Sequence, residues 1–290
     1  MDWRPSKRSS AAATCVAILL AVTAVAAGCG GQAQKQAAGG RVKASGSTTV
    51  LPLAQEAAVE YGDANPGVRV DVQGGGSSVG VTQLIQGIVD IGMSSRSLNP
   101  DEEGKGIVNH NIAFDIIAIV VNPSMPIANL SDAQVKAIFT GKVKNWKALG
   151  GPDKQIVVVV RDQASGTREI FDKKALGATD TNVVESTPSA IQCASNGVMR
   201  EIVATTPNAI GYISFGYVNK NLKAISFNGV GPNVASAATG KYPIARFLHL
   251  YTKGEAKGVV KGYIDFVLSD KFQTDIVARE YVKMKDVQIK

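Results

Sequence analysis

The sequence is poor in the residues that usually do chemistry. It holds two His and three Cys, and aromatic residues make up only 6%. A zinc cluster or a disulfide framework would find almost no ligands. Charge is not concentrated either. Lys and Arg number 31 against 24 Asp and Glu, a formal charge of +7, which is mildly basic and not the clustered excess of a dedicated nucleic-acid binder. No glycine-rich stretch ends in Gly-Lys-Ser/Thr, so no P-loop is present. Disorder is excluded by the 45% hydrophobic content. A length of 290 residues suits one or two domains with a packed core. What the chain has in quantity is glycine, 30 residues of it.

Residues 1–28 read as an address and not as fold. Arg4, Lys7 and Arg8 precede an apolar run through Val16, Ile18, Leu19, Leu20, Val22 and Val25, which ends in Ala26-Ala27-Gly28 before Cys29. This is the layout of a secretory signal. Cys after Ala-Gly resembles a bacterial lipobox, although Ala26 stands where that pattern prefers Leu or Val; the alternative is an uncleaved anchor. The resemblance implies lipidation of Cys29 and an exported chain anchored at a membrane, facing the periplasm or the cell exterior. Residues 29–40 form a polar, glycine-rich tether. Removing residues 1–28 takes away Arg4, Lys7 and Arg8 against Asp2, so the charge falls to +5. Cys193 is then the only thiol besides Cys29, and no internal disulfide is expected.

Beyond the tether, strand and helix patterns alternate. Val68, Val70 and Val72 alternate with Arg69 and Asp71, while Ile116–Val121 and Ile156–Val160 are apolar runs of doubly covered strands. Helical spacing links Val50, Leu53, Ala54, Ala57 and Tyr61, and again Leu84, Ile85 and Ile88. Ser131-Asp-Ala-Gln134 is a capping box. One last helical stretch runs from Gly258 to Tyr281. The pattern predicts an α/β fold with mainly parallel sheets.

Three loops share a design: Ser45-Gly46-Ser47-Thr48-Thr49, Gly74-Gly75-Gly76-Ser77-Ser78-Val79-Gly80, and Arg161-Asp162-Gln163-Ala164-Ser165-Gly166-Thr167. Each sets hydroxyls and glycine at an expected helix start. A helix N-terminus offers unpaired N–H groups and partial positive charge, which suit a small oxyanion. Arg161 adds a planar fork. Any one such loop reads more readily as an ordinary cap; three together, one with an arginine, favour anion binding.

These loops, with Val89-Asp90-Ile91-Gly92, Gly141-Lys-Val-Lys-Asn-Trp146, Ser195-Asn196-Gly197 and Ala209-Ile210-Gly211-Tyr212, resemble the PstS-type phosphate-binding family of bacterial phosphate ABC importers. The resemblance runs from about Val42 to the C-terminus. It implies a two-lobed, type II periplasmic-binding-protein-like fold with the ligand in the interlobe cleft. Lobe I would be 41–119 with 242–290, lobe II 120–241, with crossings near Ile119–Asn122 and Tyr242–Arg246. It implies inorganic phosphate as ligand, permease subunits as partners, no cofactor and no catalysis, with ATP hydrolysis left to another subunit. By the matched motifs, Thr48, the Thr49 amide, Ser77, Arg161, Ser165, the Gly166 amide and Thr167 would hold the anion. Ser47 and Ser78 are further donors on the cap reading. A monomer without nucleic acid is expected.

The chain departs from the family pattern at Ser95, where an aspartate usually accepts a hydrogen bond from the protonated phosphate and so helps reject sulfate, which has no proton to offer. Asp115 is a candidate replacement acceptor; the plainer reading is a strand-end carboxylate in water. Sulfate and molybdate therefore stay open as cargo, as does a sensing or adhesion role. A different class also fits one segment. Gly76-Ser77-Ser78-Val79-Gly80 matches a nucleophile elbow, which would make Ser78 a nucleophile with His249 as base.

Overall fold

The computed structural model describes residues 39–179 and 184–288. Cys29 and the expected signal and tether up to residue 38 lie outside the described residues. In chain order, the first part runs β1 (Gly40–Gly46), α1 (Leu51–Ala64), β2 (Val68–Gly74), α2 (Ser77–Ile85), β3 (Ile91–Ser94) and the long β4 (Ile107–Val121). The middle holds β5 (Asn129–Leu130), α3 (Asp132–Phe139), β6 (Val157–Arg161), α4 (Gly166–Ala175), β7 (Ile191–Cys193), α5 (Asn196–Thr205), β8 (Ala209–Ser214), β9 (Lys223–Ala224), β10 (Ser226–Phe227) and α6 (Val234–Ala238). Then come β11 (Ala245–Lys253) and α7 (Gly258–Leu268).

The main sheet has the order β2-β1-β3-β11-β4-β8-β6-β7, with β9 also on β4. It is mixed. The β1–β2, β1–β3, β6–β8 and β6–β7 pairs are parallel, while β11 and β4 pair antiparallel with their neighbours. The expectation of mainly parallel sheets is corrected by these two strands, which return through the middle of the molecule. Their apolar runs look alike whichever way the chain runs.

β4 spans both ends of the sheet. Residues up to Ile116 pair with β11, and Ile117–Val121 pair with β8. Separate cores form on either side. Val42, Leu53, Ile91, Leu248, Tyr263 and Phe272 pack at the β1 end. Val135, Phe139, Trp146, Phe171 and Tyr212 pack at the β6 end. Two lobes sharing β4 and β11 leave the ends of β1, β3, β6 and β8 facing one cleft, where loops of both lobes meet.

Local signals explain the helices that flank this cleft. The Ser131–Gln134 capping box forms, with Ser131 Oγ accepting from the Gln134 amide at 3.2 Å. Ser165 caps α4 by accepting from the Arg168 amide. The other two hydroxyl-rich loops do not cap in the expected way. The residue before α2 is Gly76, and before α1 it is Val50, both without a side-chain cap. Ile88 falls beyond α2 and is exposed. The stretch from Gly258 to Tyr281 is broken at Ser269, whose extended backbone ends α7 and caps the next turn.

Candidate functional site

The three predicted loops converge. Thr49 Oγ1 on the loop after β1 lies 3.1 Å from Thr167 Oγ1 in the first turn of α4. Ser77 Oγ at the start of α2 lies 3.3 Å from Ser95 Oγ, after β3, and accepts from the Ser95 amide at 3.0 Å. Gly166 is pressed against that pair: a Cβ there would sit 2.4 Å from Ser77 Oγ and 3.0 Å from Ser95 Oγ. Gly76 has φ +99° and would bring a Cβ within 2.6 Å of the Ala164 carbonyl. Glycine at these two positions lets loops from the two lobes touch. All of Thr48, Thr49, Ser77, Ser95, Arg161, Ser165 and Thr167 are buried.

Further ties cross the cleft. The Ser78 amide donates to the Ala164 carbonyl at 3.2 Å. Tyr217 Oη donates to the Thr48 carbonyl at 2.6 Å; burial pushes this phenol up to about 12, so it stays a donor. Arg96, after β3, pairs with Glu102 and stands 2.9 Å from Glu169 of α4. Burial acts to lower the Arg96 pKa, but its bonds to Glu102 and the Glu169 charge outweigh that and raise it.

Arg161 ends β6, the strand that leads to α4, and is buried. Its Nε donates to the Cys193 carbonyl at 3.3 Å and its Nη2 to the Ala194 carbonyl at 3.0 Å. Nη1 is buried without a partner, as is Asp162 Oδ1 one residue on. Burial lowers the Arg161 pKa, yet a guanidinium keeps its charge. A buried cation with an unpaired donor is costly unless an anion joins it.

The cluster also contains residues that sequence reasoning missed. Asn196, first in α5, donates through Nδ2 to Thr48 Oγ1 at 3.3 Å and to Thr49 Oγ1 at 3.0 Å. Arg246 of β11 donates through Nη2 to Thr49 Oγ1 at 3.0 Å and to Thr167 Oγ1 at 2.9 Å. Arg246 Nη2 has two N–H groups for three acceptors, Asp115 Oδ2 and the two threonine hydroxyls, so one hydrogen is shared. Either threonine can donate to the other, and both hydroxyls sit among donors from Asn196 and Arg246. Asn196 belongs to the quoted Ser195-Asn196-Gly197 motif; Arg246 could have been noticed as a lone charge in an apolar crossing strand.

Several expected donors are placed differently. Ser47 Oγ accepts from the Thr49 amide at 3.1 Å and the Val50 amide at 3.4 Å, so that amide is spent within its own turn. Ser78 lies next to Ser77 on α2 but turns outward, its Oγ accepting from Arg96 Nη2 at 3.1 Å. Asp115 is fully buried, and both its oxygens are engaged: Oδ1 accepts from Ser214 Oγ at 2.7 Å and Oδ2 from Arg246 at 2.9 Å. Burial pushes its carboxyl up, against the pull of Arg246 and the Ser214 bond. The reading of Asp115 as a strand-end carboxylate in water is therefore corrected.

The hydrolase alternative is also overturned. Ser78 Oγ is bonded to Arg96, while His249 Nδ1 is 2.9 Å from Asn109 Oδ1 and its ring stacks on Tyr251. Burial pushes the His249 pKa down to about 4, leaving a neutral ring with no hydroxyl to activate. What remains is an enclosure rich in donors, suited to gripping a small oxyanion without reacting with it.

Comparison with known proteins agrees with this geometry. Residues 31–271 match the profile of the PBP superfamily domain. The phosphate-binding protein PstS of Bacillus subtilis is 37% identical over 287 residues, covering 94% of each chain. The chain belongs to the PstS family. PstS of Borreliella burgdorferi is 33% identical, over 82% of this chain and 88% of that protein. Among solved structures, a putative phosphate ABC transporter substrate-binding protein from Clostridium perfringens, with bound phosphate, superposes with a TM-score of 0.80 at 33% identity, covering 84% of this chain and 99% of that one. The PstS family is one of binding proteins.

Proposed function

We infer that this chain captures inorganic phosphate between its lobes and delivers it to the permease subunits of an ABC importer. The observation that carries this reading is the convergence of Thr49 with Thr167 and of Ser77 and Ser95 with Gly166 at the start of α4, together with a buried Arg161, at the end of the strand before α4, whose Nη1 has no partner. Thr48, Ser165 and the Gly166 amide complete the donor set, with lobes at 41–119 plus 242–290 and 120–241. Hydrogen bonds to charged groups contribute about 1.5–3 kcal/mol each. A handful can offset desolvation and lobe closure and still leave the roughly −8 kcal/mol of a micromolar site. Both lobes supply donors only when closed, so the anion favours closure.

The N-terminal pattern supports export and anchoring through a lipid on Cys29, with the folded part acting as a monomer. No helix among the described residues is long and apolar enough to cross a membrane. A second reading, sulfate or another tetrahedral oxyanion as cargo, draws on Ser95, whose hydroxyl can donate to a fully deprotonated oxyanion as readily as it accepts from a protonated one. Competition of labelled phosphate by sulfate and arsenate across pH 5–9 separates the two. Phosphate retained against excess sulfate supports the phosphate reading; equal displacement by sulfate replaces it.

A further inference from the structure

We propose that Arg246 is a second guanidinium ligand of the bound anion, oriented by Asp115 and contributing Nη1 alongside Arg161. The proposal rests on the reading above that the threonine and serine cluster encloses phosphate.

The placement starts in the sheet register. Arg246 on β11 stands directly opposite Asp115 on β4. That pairing aligns the guanidinium with the carboxylate, Nε at 3.2 Å and Nη2 at 2.9 Å from Oδ2. Ser214 Oγ fixes the other carboxylate oxygen. Nη2 then bridges Thr49 and Thr167, one hydroxyl from each side of the cleft. The fork is therefore held at the point where the lobes close, on the hydroxyls assigned to the ligand.

The remaining nitrogen decides the role. Arg246 is only 4% exposed, and Nη1 is buried with no partner. A purely structural Arg246 would already be complete, because Nε and Nη2 satisfy Asp115 and both threonines. Leaving two charged N–H donors unpaired in the interior has no structural return. Arg161 carries a second buried Nη1 without a partner and is near enough for its charge to act on Arg246. Asp115 faces Arg246 and Asp162 follows Arg161, so the two free Nη1 groups, not an excess of charge, are what the two arginines hold out. An oxyanion takes up both free donors at once, as two forks grip it from different strands.

The test is titration calorimetry of phosphate against the full chain, Arg246→Gln, and the double variant Asp115→Asn/Arg246→Gln. The double variant avoids stranding a buried carboxylate if the single one fails to fold, and circular dichroism checks both. The expected result is at least a tenfold loss of affinity in each folded variant. A double variant that binds within about twofold of the parent overturns the proposal. If the parent itself does not bind phosphate, the underlying reading fails and takes this one with it, a distinct outcome. A phosphate-bound crystal structure gives an independent readout that a structural role would not produce: Arg246 Nη1 within about 3.2 Å of a phosphate oxygen. Nη1 unbonded to phosphate in that structure overturns it.

Discussion

Thr49 and Thr167, separated by 118 positions in the sequence, hold their hydroxyl oxygens 3.1 Å apart. One follows β1 and the other opens α4, so their contact exists only when the two halves of the molecule are together. Asn196 and Arg246 add donors at this pair, and Arg161, at the end of the strand before α4, keeps a buried nitrogen without a partner. Binding and closure are thus parts of one event.

Removing Arg161 should be felt directly. Arg161→Ala deletes a charged donor and empties its place beneath the Cys193 and Ala194 carbonyls. At about 1.5–3 kcal/mol for a bond to a charged group, the expected loss is at least tenfold in phosphate affinity. Calorimetry showing unaltered affinity would remove Arg161 from the site.

Gly166→Ala should separate binding from folding. The position accepts a helical side chain, but the added Cβ meets Ser77 Oγ and Ser95 Oγ across the cleft. Phosphate affinity should fall at least tenfold while the ligand-free melting temperature stays within a few degrees of the parent. A large drop in that melting temperature would show that the contact supports the fold as such.

The Arg96–Glu169 pair ties α4 to the segment after β3 at 2.9 Å, without hydrogen-bond alignment at Nε. Glu169 is partly exposed, so solvent and salt screen the pair, which should contribute about 0.5–1 kcal/mol. Glu169→Gln is expected to weaken phosphate binding by about two- to fivefold at low salt, with the difference fading at high salt. A salt-independent loss would point to another cause.

His249 sets a stability limit on the acid side. Burial pushes its pKa down from 6.5 to about 4, so the unfolded chain binds a proton that the folded chain refuses. Stability from this group is present above pH 6.5 and is lost as pH falls towards 4, by up to about 3 kcal/mol. In denaturant titrations without phosphate, His249→Asn should flatten the decline between those pH values. Parallel curves for the two proteins would refute it.

How much could be read from the sequence depended on how local each feature is. The Ser131 capping box and the apolar run of β4 form as written because neighbours in sequence determine them. Ser77 and Ser78 look interchangeable in the sequence, yet one helical step turns Ser77 to the cleft and Ser78 to Arg96. The antiparallel return of β11 left no periodic signature, and Arg246 depends on that return. Its partner Asp115 was singled out without its cation, because only the β4–β11 register brings the two together.

The most direct test of the central claim is calorimetric titration of the full chain with inorganic phosphate at pH 7. One phosphate per chain, bound with a dissociation constant of micromolar or tighter and weakened at least tenfold by Arg161→Ala, is the predicted result. No detectable binding, or binding indifferent to Arg161, would contradict the account.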